Sequence, residues 1–325
     1  MDFKLTMLQF AASRFLINNY NHRIDGVVVA VCGAGKTEMC FPLIEKIYTT
    51  AKIAFAIPRI DICLDIYERL KIAFGANVGI HTGNLQQNLT ANILVLTTNQ
   101  LLKYRSYFNL IIIDEVDAFP FDVDPTFYLG VLACLNVGSI FYLTSTPSSR
   151  LEAQNLPTFT IYKRWHNLPL PVPQMIHYSS YIPLPRKLKK IIANRDRQLL
   201  IFIATINKGQ DLSEHLSSLN IVHQFVYSSH PNRTEIIQRF RQNEFTILLT
   251  TTILERGVTF KDIDVLVIDS DDSFYNKAAL VQIAGRARRH IDYQDASVYF
   301  GYKHYTTTIK AAISFISSNN RLIGK

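Results

Sequence analysis

The stretch that decides the fold is Val27-Val28-Val29-Ala30-Val31-Cys32-Gly33-Ala34-Gly35-Lys36-Thr37, an apolar run of β-strand character that leads into a glycine-rich turn. A second apolar run, Leu110-Ile111-Ile112-Ile113, leads in the same way into the acidic pair Asp114-Glu115. A glycine-rich turn between a strand and a helix directs backbone N–H groups toward phosphate oxygens, and paired acids can serve a metal ion and a water molecule. The two segments together predict a site that hydrolyses a nucleoside triphosphate.

The glycine-rich turn supplies the groups that would bind the phosphates. The backbone of residues 33–35 is expected to surround phosphate oxygens, the Lys36 ammonium to reach the β- and γ-phosphates, and the Thr37 hydroxyl to ligate Mg²⁺. The segment departs from the strict G-x-x-x-x-G-K-[ST] pattern because Ala30 occupies the first position. Taken alone, it leaves open a flexible loop with an incidental lysine.

The acidic pair supplies the chemistry. Asp114 suits the coordination shell of the same Mg²⁺, and Glu115 is placed to orient or deprotonate the attacking water. An acidic pair at the end of a second apolar strand argues against the flexible-loop alternative. We therefore expect ATP and Mg²⁺ as the cofactors of this site.

The length and composition describe a globular protein of two domains. At 325 residues the chain exceeds the size at which one hydrophobic core stops growing, and its 48% hydrophobic and 18% charged residues are ordinary for such proteins. No apolar run approaches the length of about 18 residues that spans a bilayer. Met1-Asp2-Phe3-Lys4 lacks the pattern of a signal peptide. We expect a soluble intracellular protein without an integral membrane segment.

The cysteines indicate reduced thiols. The chain has four of them, Cys32, Cys40, Cys63 and Cys134, and they form no C-x-x-C pair and no spacing typical of a metal site. Each lies beside apolar residues in the first half of the chain. We therefore expect the four thiols to be buried and reduced.

The net charge of +8 is unevenly distributed along the chain. Residues 1–150 hold 12 basic and 12 acidic side chains, whereas residues 151–325 hold 22 basic and 14 acidic ones. A basic half in an ATPase favours a polyanionic ligand such as nucleic acid. The alternative is a solvated basic surface without a partner.

Strand and helix patterns alternate through both halves. This alternation predicts an α/β protein with two tandem RecA-like domains and mainly parallel sheets. We expect domain 1 over residues 1–165, a proline-rich linker over 166–185, which holds five of the twelve prolines, and domain 2 over 186–325. The predicted strands are 27–31, 52–57, 78–80, 93–97, 110–113, 139–143, 199–203, 221–226, 245–250, 264–268 and 296–300.

Four further residues of the first half are candidate ligand contacts. The Gln9 side-chain amide can pair with the donor and acceptor edge of adenine, although a surface position on the first helix is the alternative. Arg59 follows one predicted strand, and Thr97 and Thr98 follow another, at the sheet edge where open α/β proteins bind ligands. We expect all three to contact a nucleic-acid backbone, with simple capping of a helix by Thr98 as the competing interpretation.

Two more polar groups follow apolar strands in the first half. Asp117 could form an ionic link to the second half, or it could be a structural carboxylate of its loop. Thr144-Ser145-Thr146 offers hydroxyls that could sense the metal or couple hydrolysis to movement, with a turn-forming cluster as the alternative.

The second half supplies a set of arginines. Gln282-Ile283-Ala284-Gly285-Arg286-Ala287-Arg288-Arg289 lies on a predicted helix over 276–287, and the spacing places Gln282, Arg286 and Arg289 on one helix face. Arginines that converge on a γ-phosphate stabilise the charge of phosphoryl transfer and accelerate the reaction by about 10³ to 10⁵. A basic helix face on solvent or nucleic acid is the alternative.

The order of these motifs resembles that of superfamily-two helicases, from Gln9 to Arg289. Within that superfamily, the strings around the glycine-rich turn, Pro58-Arg59-Ile60-Asp61, Asp114-Glu115-Val116-Asp117-Ala118-Phe119-Pro120, Pro169-Leu170-Pro171-Val172-Pro173 and Thr251-Thr252-Ile253-Leu254-Glu255-Arg256-Gly257-Val258-Thr259-Phe260 are similar to the ComFA family. This family comprises late-competence ATPases of naturally transformable Gram-positive bacteria.

The resemblance implies a motor that hydrolyses ATP in the cleft between two RecA-like domains and translocates single-stranded DNA. It implies that Glu38 and Gly257 belong to the nucleotide site and that Thr251 contacts nucleic acid. The implied partners are single-stranded DNA, a ComFC-type protein and other competence proteins, including the membrane uptake channel. The implied location is cytoplasmic, peripheral at the inner face of the cell membrane.

Two departures from the family pattern affect these expectations. Many members carry an N-terminal module in which four cysteines bind zinc, whereas this chain begins close to Gln9, so we expect no zinc. The last motif usually reads G-R-x-G-R, whereas here Arg288 occupies the position of the second glycine. This leaves open which of Arg286, Arg288 and Arg289 reaches the phosphate.

The sequence leaves two other functions open, and it also leaves open the role of three tyrosines near the end of the chain. An RNA helicase or a duplex-unwinding helicase would use the same backbone contacts, since only a contact to the 2′-hydroxyl separates RNA from DNA. A nucleotide-gated DNA-binding scaffold is the alternative outside the motor enzymes. Near the end of the chain, Tyr299, Tyr302 and Tyr305 could stack on bases or pack in a core.

Overall fold

The computed structural model describes residues 4–121, 124–166, 168–193, 197–254, 260, 262–288 and 295–323. The chain divides into two compact units, unit 1 over Met1–Trp165 and unit 2 over His166–Lys325. No helix of these described ranges is long and apolar enough to cross a membrane.

Unit 1 is built on a sheet of eight strands in the described ranges, in the order β4-β3-β5-β2-β6-β7-β1-β8. Its neighbouring strands pair parallel, except that β3 and β4 are antiparallel. The strands are β1 Gly26–Ala30, β2 Ile53–Ile57, β3 Val78–His81, β4 Gln86–Gln87, β5 Ile93–Thr97, β6 Phe108–Ile113, β7 Leu135–Thr144 and β8 Thr158–Ile161. The helices are α1 Met7–Asn21, α2 Lys36–Ile47, α3 Ile60–Phe74, α4 Thr98–Leu101, α5 Thr126–Cys134 and α6 Ser149–Glu152.

The central strands of unit 1 are apolar along their whole length because helices cover both faces of a parallel sheet. Every residue of β2 and of β5 is buried. Packing on one face joins Ile111 and Ile113 of β6 to Phe121 and to Val131 of α5 in a single core cluster. This burial of β-branched and aromatic side chains stabilises the sheet and holds its carboxyl edge in place.

Unit 2 repeats this architecture with six strands among its described residues, in the order β11-β12-β10-β13-β14-β9. All of these pairings are parallel. The strands are β9 Gln174–His177, β10 Gln198–Phe202, β11 Gln224–Val226, β12 Ile247–Thr250, β13 Ile263–Val267 and β14 Val298–Tyr302. The helices are α7 Arg186–Ala193, α8 Ile206–Ser218, α9 Arg233–Arg241, α10 Lys277–Ala284 and α11 Thr307–Arg321. The predicted fold class, two α/β units with mainly parallel sheets, is confirmed.

The proline-rich stretch 166–185 differs from a simple linker. Its residues 174–177 form β9, which pairs with β14, and Ile176, Tyr178 and Tyr181 belong to the core of unit 2. The physical reason lies in the spacing of the prolines, because Pro173 and Pro183 enclose a proline-free segment. β9 is an edge strand, where prolines next to the strand remove no ladder hydrogen bond.

Candidate nucleotide-binding site

The glycine-rich turn connects β1 to α2 and uses two left-handed backbone positions. Gly33 has a φ of 82° and Gly35 a φ of 76°. A Cβ atom on Gly35 would also collide with Nε2 of Gln9, whereas a Cβ on Gly33 would meet only carbons and Nε of Arg164 at 3.8 Å. Gly35 is the N-cap of α2 and provides no side-chain cap. The first N–H groups of a twelve-residue helix therefore face the turn, which suits the binding of an anion.

Lys36 and Thr37 begin α2 directly after the turn. The Lys36 ammonium donates to the carbonyl oxygen of Ala30 at 3.4 Å, so it folds back over the turn. Thr37 is buried at the start of the helix. Lys36 therefore lies across the loop that is predicted to bind phosphates. A bound phosphate would take the ammonium from its long contact with the Ala30 carbonyl oxygen.

Gln9 fastens α1 to the turn. Its Nε2 donates to the carbonyl oxygen of Ala34 at 2.8 Å, and its Oε1 accepts from the backbone N–H of Thr6 at 2.8 Å. The Thr6 hydroxyl accepts from the backbone N–H of Gln9 at 3.3 Å, which completes a capping box. Gln9 is buried, so the alternative of a surface position is wrong. The contact of Gln9 with adenine stays a prediction. It is compatible with these bonds, because the amide has a second hydrogen on Nε2 and a second lone pair on Oε1.

The acidic pair lies at the carboxyl end of β6. Oδ1 of Asp114 accepts from the backbone N–H of Glu115 at 2.8 Å, and Glu115 adopts a left-handed φ of 56°. Only β7 separates β6 from β1 in the sheet. Since the three strands are parallel, the acidic pair and the glycine-rich turn lie at the same edge. The topology therefore brings together the two segments that the sequence analysis paired.

Arg69 of α3 is a charged neighbour of this site that sequence reasoning missed. Its guanidinium forms an ion pair with Glu38 of α2 and lies 3.6 Å from Asp65 on its own helix. Burial lowers the pKa of Arg69, and the nearby Asp114 carboxylate acts in the opposite direction. The i, i+4 spacing of Asp65 and Arg69 was visible in the sequence, but nothing in it connected Arg69 to Glu38 or Asp114. Glu38 therefore has a protein partner in the structure.

Cys40 lies on α2, one helical turn after Lys36. Burial raises the pKa of Cys40, and the Asp114 carboxylate raises it further. Its Sγ lies 3.4 Å from the carbonyl oxygen of Lys36. The other three cysteines are also buried and free of disulfides, as the sequence analysis expects. Among the described residues, no group of three or more His, Cys, Asp or Glu side chains could hold a metal ion.

Asp117 and the Thr144-Ser145-Thr146 cluster meet within unit 1. The Thr146 hydroxyl donates to Oδ2 of Asp117 at 2.6 Å, and the Thr144 hydroxyl accepts from the backbone N–H of Thr146 at 3.0 Å. Asp117, Thr144 and Thr146 are buried. The two loops that follow β6 and β7 are thus joined by a hydrogen bond to a carboxylate, which is among the stronger kinds of hydrogen bond.

Arg59, Thr97 and Thr98 lie at the carboxyl ends of β2 and β5, which are neighbouring strands. The Arg59 guanidinium bonds both carboxylate oxygens of Asp61, at 3.1 and 2.7 Å. The interpretation that Thr98 caps the helix is wrong, because Thr98 is the first residue of α4. The N-cap is Thr97, and its side chain makes no cap bond. Both threonines are buried. β5 runs through Thr97, which pairs with Ile57, so the helix starts directly after the strand.

The arginine-rich segment of unit 2 departs from the predicted helix. α10 ends at Ala284 with Gly285 as its C-cap, so Arg286 lies in a turn and bonds back to Ile283 through its backbone N–H at 3.0 Å. Gln282 and Arg286 are both buried, at 5% and 2% exposure. The helical-face argument for Arg286 is therefore wrong, because α10 ends at Ala284 and the chain continues into a turn at Gly285 and Arg286.

The remaining second-half predictions are divided between described and undescribed residues. Thr251 is nearly buried and directly follows β12. Gly257 and Arg289 lie outside the described residues. Arg288 has a left-handed φ of 56°, and its Nε donates to the carbonyl oxygen of Ala296 at 2.8 Å.

Comparison with known families places helicase domains in both halves. Residues 2–149 match the family described as type III restriction enzyme, res subunit, and residues 184–291 match the helicase conserved C-terminal domain. The chain is 35% identical to Competence protein ComFA of Streptococcus pneumoniae, over 99% of this chain and 78% of that protein. It is 32% identical to Competence protein ComFA of Bacillus subtilis, over 100% of this chain and 74% of that protein.

Solved structures agree with the fold. The structure of S. cerevisiae Dbp5 bound to RNA and ADP BeF3 has a TM-score of 0.69, and the match covers 99% of this chain and 88% of that chain. The sequence identity is 14%, so the likeness concerns the fold, two RecA-like domains. A local similarity of 31% identity to UvrABC system protein B of Gloeothece citriformis covers 33% of this chain and 17% of that protein.

Proposed function

Because the chain belongs to the ComFA family of competence proteins, we propose that it is an ATP-driven translocase that moves single-stranded DNA during DNA uptake. Its two helicase domains and its family make it a nucleic-acid-dependent ATPase. The observation that carries the proposal is the meeting of the glycine-rich turn and the acidic pair at the carboxyl edge of one sheet.

In this proposal unit 1 binds and activates the nucleotide. The N–H groups of residues 33–35 and the Lys36 ammonium would bind the phosphates, with the Gln9 amide directed to adenine. Thr37 and Asp114 would hold Mg²⁺, and their oxygens are the hard ligands that this ion prefers. When bound, Mg²⁺ supplies positive charge to the phosphates. Glu115 would orient the attacking water.

The resemblance implies that Glu38 belongs to the nucleotide site, and its ion pair indicates how it would contribute. We propose that it acts through Arg69, because its carboxylate is paired with that guanidinium. Of this pair, the Arg69 guanidinium is the group that interacts with the nearby Asp114 carboxylate. Arg69 would thereby add positive charge beside the carboxylate that is proposed to hold Mg²⁺.

Unit 2 would complete the reaction. Arg286 and Arg289 would stabilise the charge of the transferring phosphoryl group, with Gln282 and Gly257 contributing polar contacts to the nucleotide. Hydrolysis would then depend on the approach of the two domains, and their alternate closing and opening would move the strand. The contacts to single-stranded DNA would come from Arg59, Thr97, Thr98 and Thr251. The burial of both threonines of unit 1 favours contacts through their backbone N–H groups.

The remaining parts of the proposal follow from the family. The partners would be a ComFC-type protein and other competence proteins, including the membrane uptake channel. The protein would work in the cytoplasm, peripheral to the inner face of the cell membrane. The basic balance of residues 151–325, with 22 basic and 14 acidic side chains, supports a polyanionic substrate.

The test is ATP hydrolysis by the full chain with and without single-stranded DNA. Lys36→Ala should abolish turnover because the phosphates lose their ammonium, and Glu115→Gln should bind ATP without hydrolysing it. Normal turnover by either variant would contradict the site. Stimulation by RNA in place of DNA would identify an RNA helicase, and ATP-dependent DNA binding without stimulated turnover would identify a scaffold.

A further inference from the structure

The glycine-rich turn is contacted by a segment near the end of unit 1, residues 162–165, that the sequence did not connect to it. β8 runs parallel to β1, and the backbone N–H of Val31 donates to the carbonyl oxygen of Ile161 at 3.0 Å. The backbone N–H of Trp165 donates to the carbonyl oxygen of Gly33 at 3.4 Å. The segment after β8 therefore lies beside the segment after β1, from the end of the strand to the first left-handed glycine.

Arg164 is the side chain of this segment that packs on the turn. A Cβ atom on Gly33 would lie 3.8 Å from Cγ, Cδ and Nε of Arg164, which is an ordinary contact distance. Arg164 is 2% exposed and is among the largest fully buried side chains of the described residues. Arginines are almost never fully buried unless their charge is compensated, so hydrophobic packing does not explain an arginine at this position.

The turn depends on support from outside because its own residues provide little. Gly33 and Gly35 have no side chains, and glycine loses more conformational freedom on folding than any other residue. The Gln9 amide bonds the carbonyl oxygen of Ala34, and Arg164 contacts Gly33, so the two side chains support successive residues of the turn. A loop that is held in its bound conformation before the ligand arrives binds that ligand more tightly.

The charge of Arg164 also favours the ligand that is predicted for this turn. A guanidinium is always positively charged in proteins, and a buried charge is screened less by salt than an exposed one. A phosphate group on the turn carries the opposite charge. Arg164 would therefore add to the attraction of Lys36, which lies across the same loop.

We propose that Arg164 is a positioning residue of the nucleotide site, which holds Gly33 in its phosphate-binding conformation and adds a permanent positive charge beside the turn. It acts through the turn rather than on the reacting atoms, so it contributes to nucleotide binding more than to the rate of bond cleavage. The inference rests on the proposed nucleotide site and deepens it with a residue outside the glycine-rich and acidic motifs. A purely structural Arg164 would affect stability and leave the affinity for nucleotides unchanged.

The experiment measures ATP hydrolysis by the full chain as a function of ATP concentration. Arg164→Met keeps most of the length of the side chain and removes its charge. It should raise the KM for ATP by about tenfold, because a unit charge within several ångströms of a phosphate is worth at least that factor at the effective dielectric constant of proteins. The kcat should change by less than about threefold, as expected when an interaction is lost from the bound and transition states alike. Arg164→Lys keeps a positive charge and should stay within about threefold of the wild-type KM.

Arg105→Met is the matched control. Arg105 is exposed and precedes β6, at the amino edge of the parallel strands, whereas the turn lies at their carboxyl edge. The KM of this variant should equal that of the wild type. An unchanged KM in folded Arg164→Met, or the same increase in Arg164→Lys as in Arg164→Met, would overturn the proposal.

A measurement on the wild-type chain covers the case in which Arg164→Met does not fold. Hydrogen exchange at the backbone N–H of Trp165 should slow when ATP and Mg²⁺ are bound, because the ordered turn holds its acceptor, the Gly33 carbonyl oxygen, in place. The segment 103–106 should show no change. Unchanged exchange at Trp165 with bound ATP would overturn the proposal.

The proposed function and this inference fail in different ways. If Lys36→Ala turns over ATP normally, the nucleotide site itself is contradicted. If Lys36→Ala loses turnover while Arg164→Met is folded and keeps the wild-type KM, the role of Arg164 alone is contradicted.

Discussion

Gly35→Ala should destabilise unit 1 through Gln9 as well as through its own backbone. At a φ of 76° a non-glycine residue costs about 1–2 kcal/mol. The new Cβ would also displace Nε2 of Gln9, which bonds Ala34, while Oε1 of the same amide bonds Thr6. Loss of these two bonds adds about 1–3 kcal/mol, because each is worth about 0.5–1.5 kcal/mol. The expected total is about 2–5 kcal/mol.

A double-mutant cycle separates the two contributions. In a Gln9→Ala background the collision with the amide is absent, so Gly35→Ala should cost the backbone strain of about 1–2 kcal/mol and a small shift of the Glu38 carboxylate, whose Oε2 the new Cβ would approach to 3.2 Å. Gly33→Ala is the matched control, since its φ is 82° and its Cβ would meet Arg164 at an ordinary 3.8 Å. It should cost about 1–2 kcal/mol in both backgrounds.

Trp165 provides the assay. It is the single tryptophan of the chain, it ends unit 1, and its backbone N–H donates to the carbonyl oxygen of Gly33 at 3.4 Å. Urea unfolding followed by its fluorescence therefore reports on the unit that contains the turn. The reasoning is refuted if Gly35→Ala costs no more than Gly33→Ala, or if its cost is the same with and without Gln9.

Three further predictions concern the neighbourhood of the acidic pair and the buried thiols. Thr146→Val should lower the free energy of unfolding of unit 1 by about 1–3 kcal/mol, since the buried Asp117 loses its 2.6 Å bond, whereas Thr146→Ser should retain it; equal urea midpoints for the two variants would contradict this bond. Arg69→Gln should raise the Mg²⁺ concentration needed for half-maximal ATP hydrolysis by about fivefold. This corresponds to about 1 kcal/mol for the loss of one partly screened charge near Asp114. Arg69→Lys keeps the charge and is the control, and an unchanged Mg²⁺ titration would remove Arg69 from the site. Burial raises the pKa of Cys134 to about 11 and of Cys63 to about 12. The contribution of these protonated thiols to stability is therefore complete below the ordinary thiol pKa of about 8.5 and is lost as the pH rises toward the two raised values. Between about pH 8 and 10.5 the free energy of unfolding should fall more steeply for the wild type than for the double variant Cys63→Ala with Cys134→Ala.

Much of the fold followed from the sequence because parallel strands buried on both faces leave a simple pattern. The apolar run that ends at Ile113 predicted β6 nearly to its boundary, since no solvent-facing residues interrupt such a strand. β9 was missed because its four residues lie between prolines and owe their strand conformation to pairing with β14, a contact remote in sequence. The end of α10 was misjudged because the predicted helix ran to residue 287, whereas the backbone bonds tighten into a turn after Ala284, which no local pattern indicates.

The candidate site was predicted as a set of residue types rather than as a set of contacts. The glycines, Lys36 and the acidic pair follow from chemistry that a local pattern records. The ion pair of Glu38 with Arg69 and the bond of Asp117 with Thr146 join separate elements, so no local pattern could have indicated them. Gln9 lies between the two cases, since its capping box is local and its bond to Ala34 is not.

Position 288 shows how a departure from a family pattern can be explained by backbone geometry. The pattern has glycine there, and the φ of 56° at Arg288 is one that glycine adopts without strain. An arginine at this position costs about 1–2 kcal/mol, and the bond from its Nε to Ala296 at 2.8 Å offsets about 0.5–1.5 kcal/mol of it. One nitrogen of the Arg288 guanidinium is thereby bonded to the backbone of its own unit. We therefore expect Arg286 or Arg289, and not Arg288, to reach the phosphate. Arg288→Gly should leave ATP hydrolysis unchanged, whereas Arg286→Ala and Arg289→Ala should reduce it. Loss of turnover in Arg288→Gly with unchanged stability would contradict this assignment.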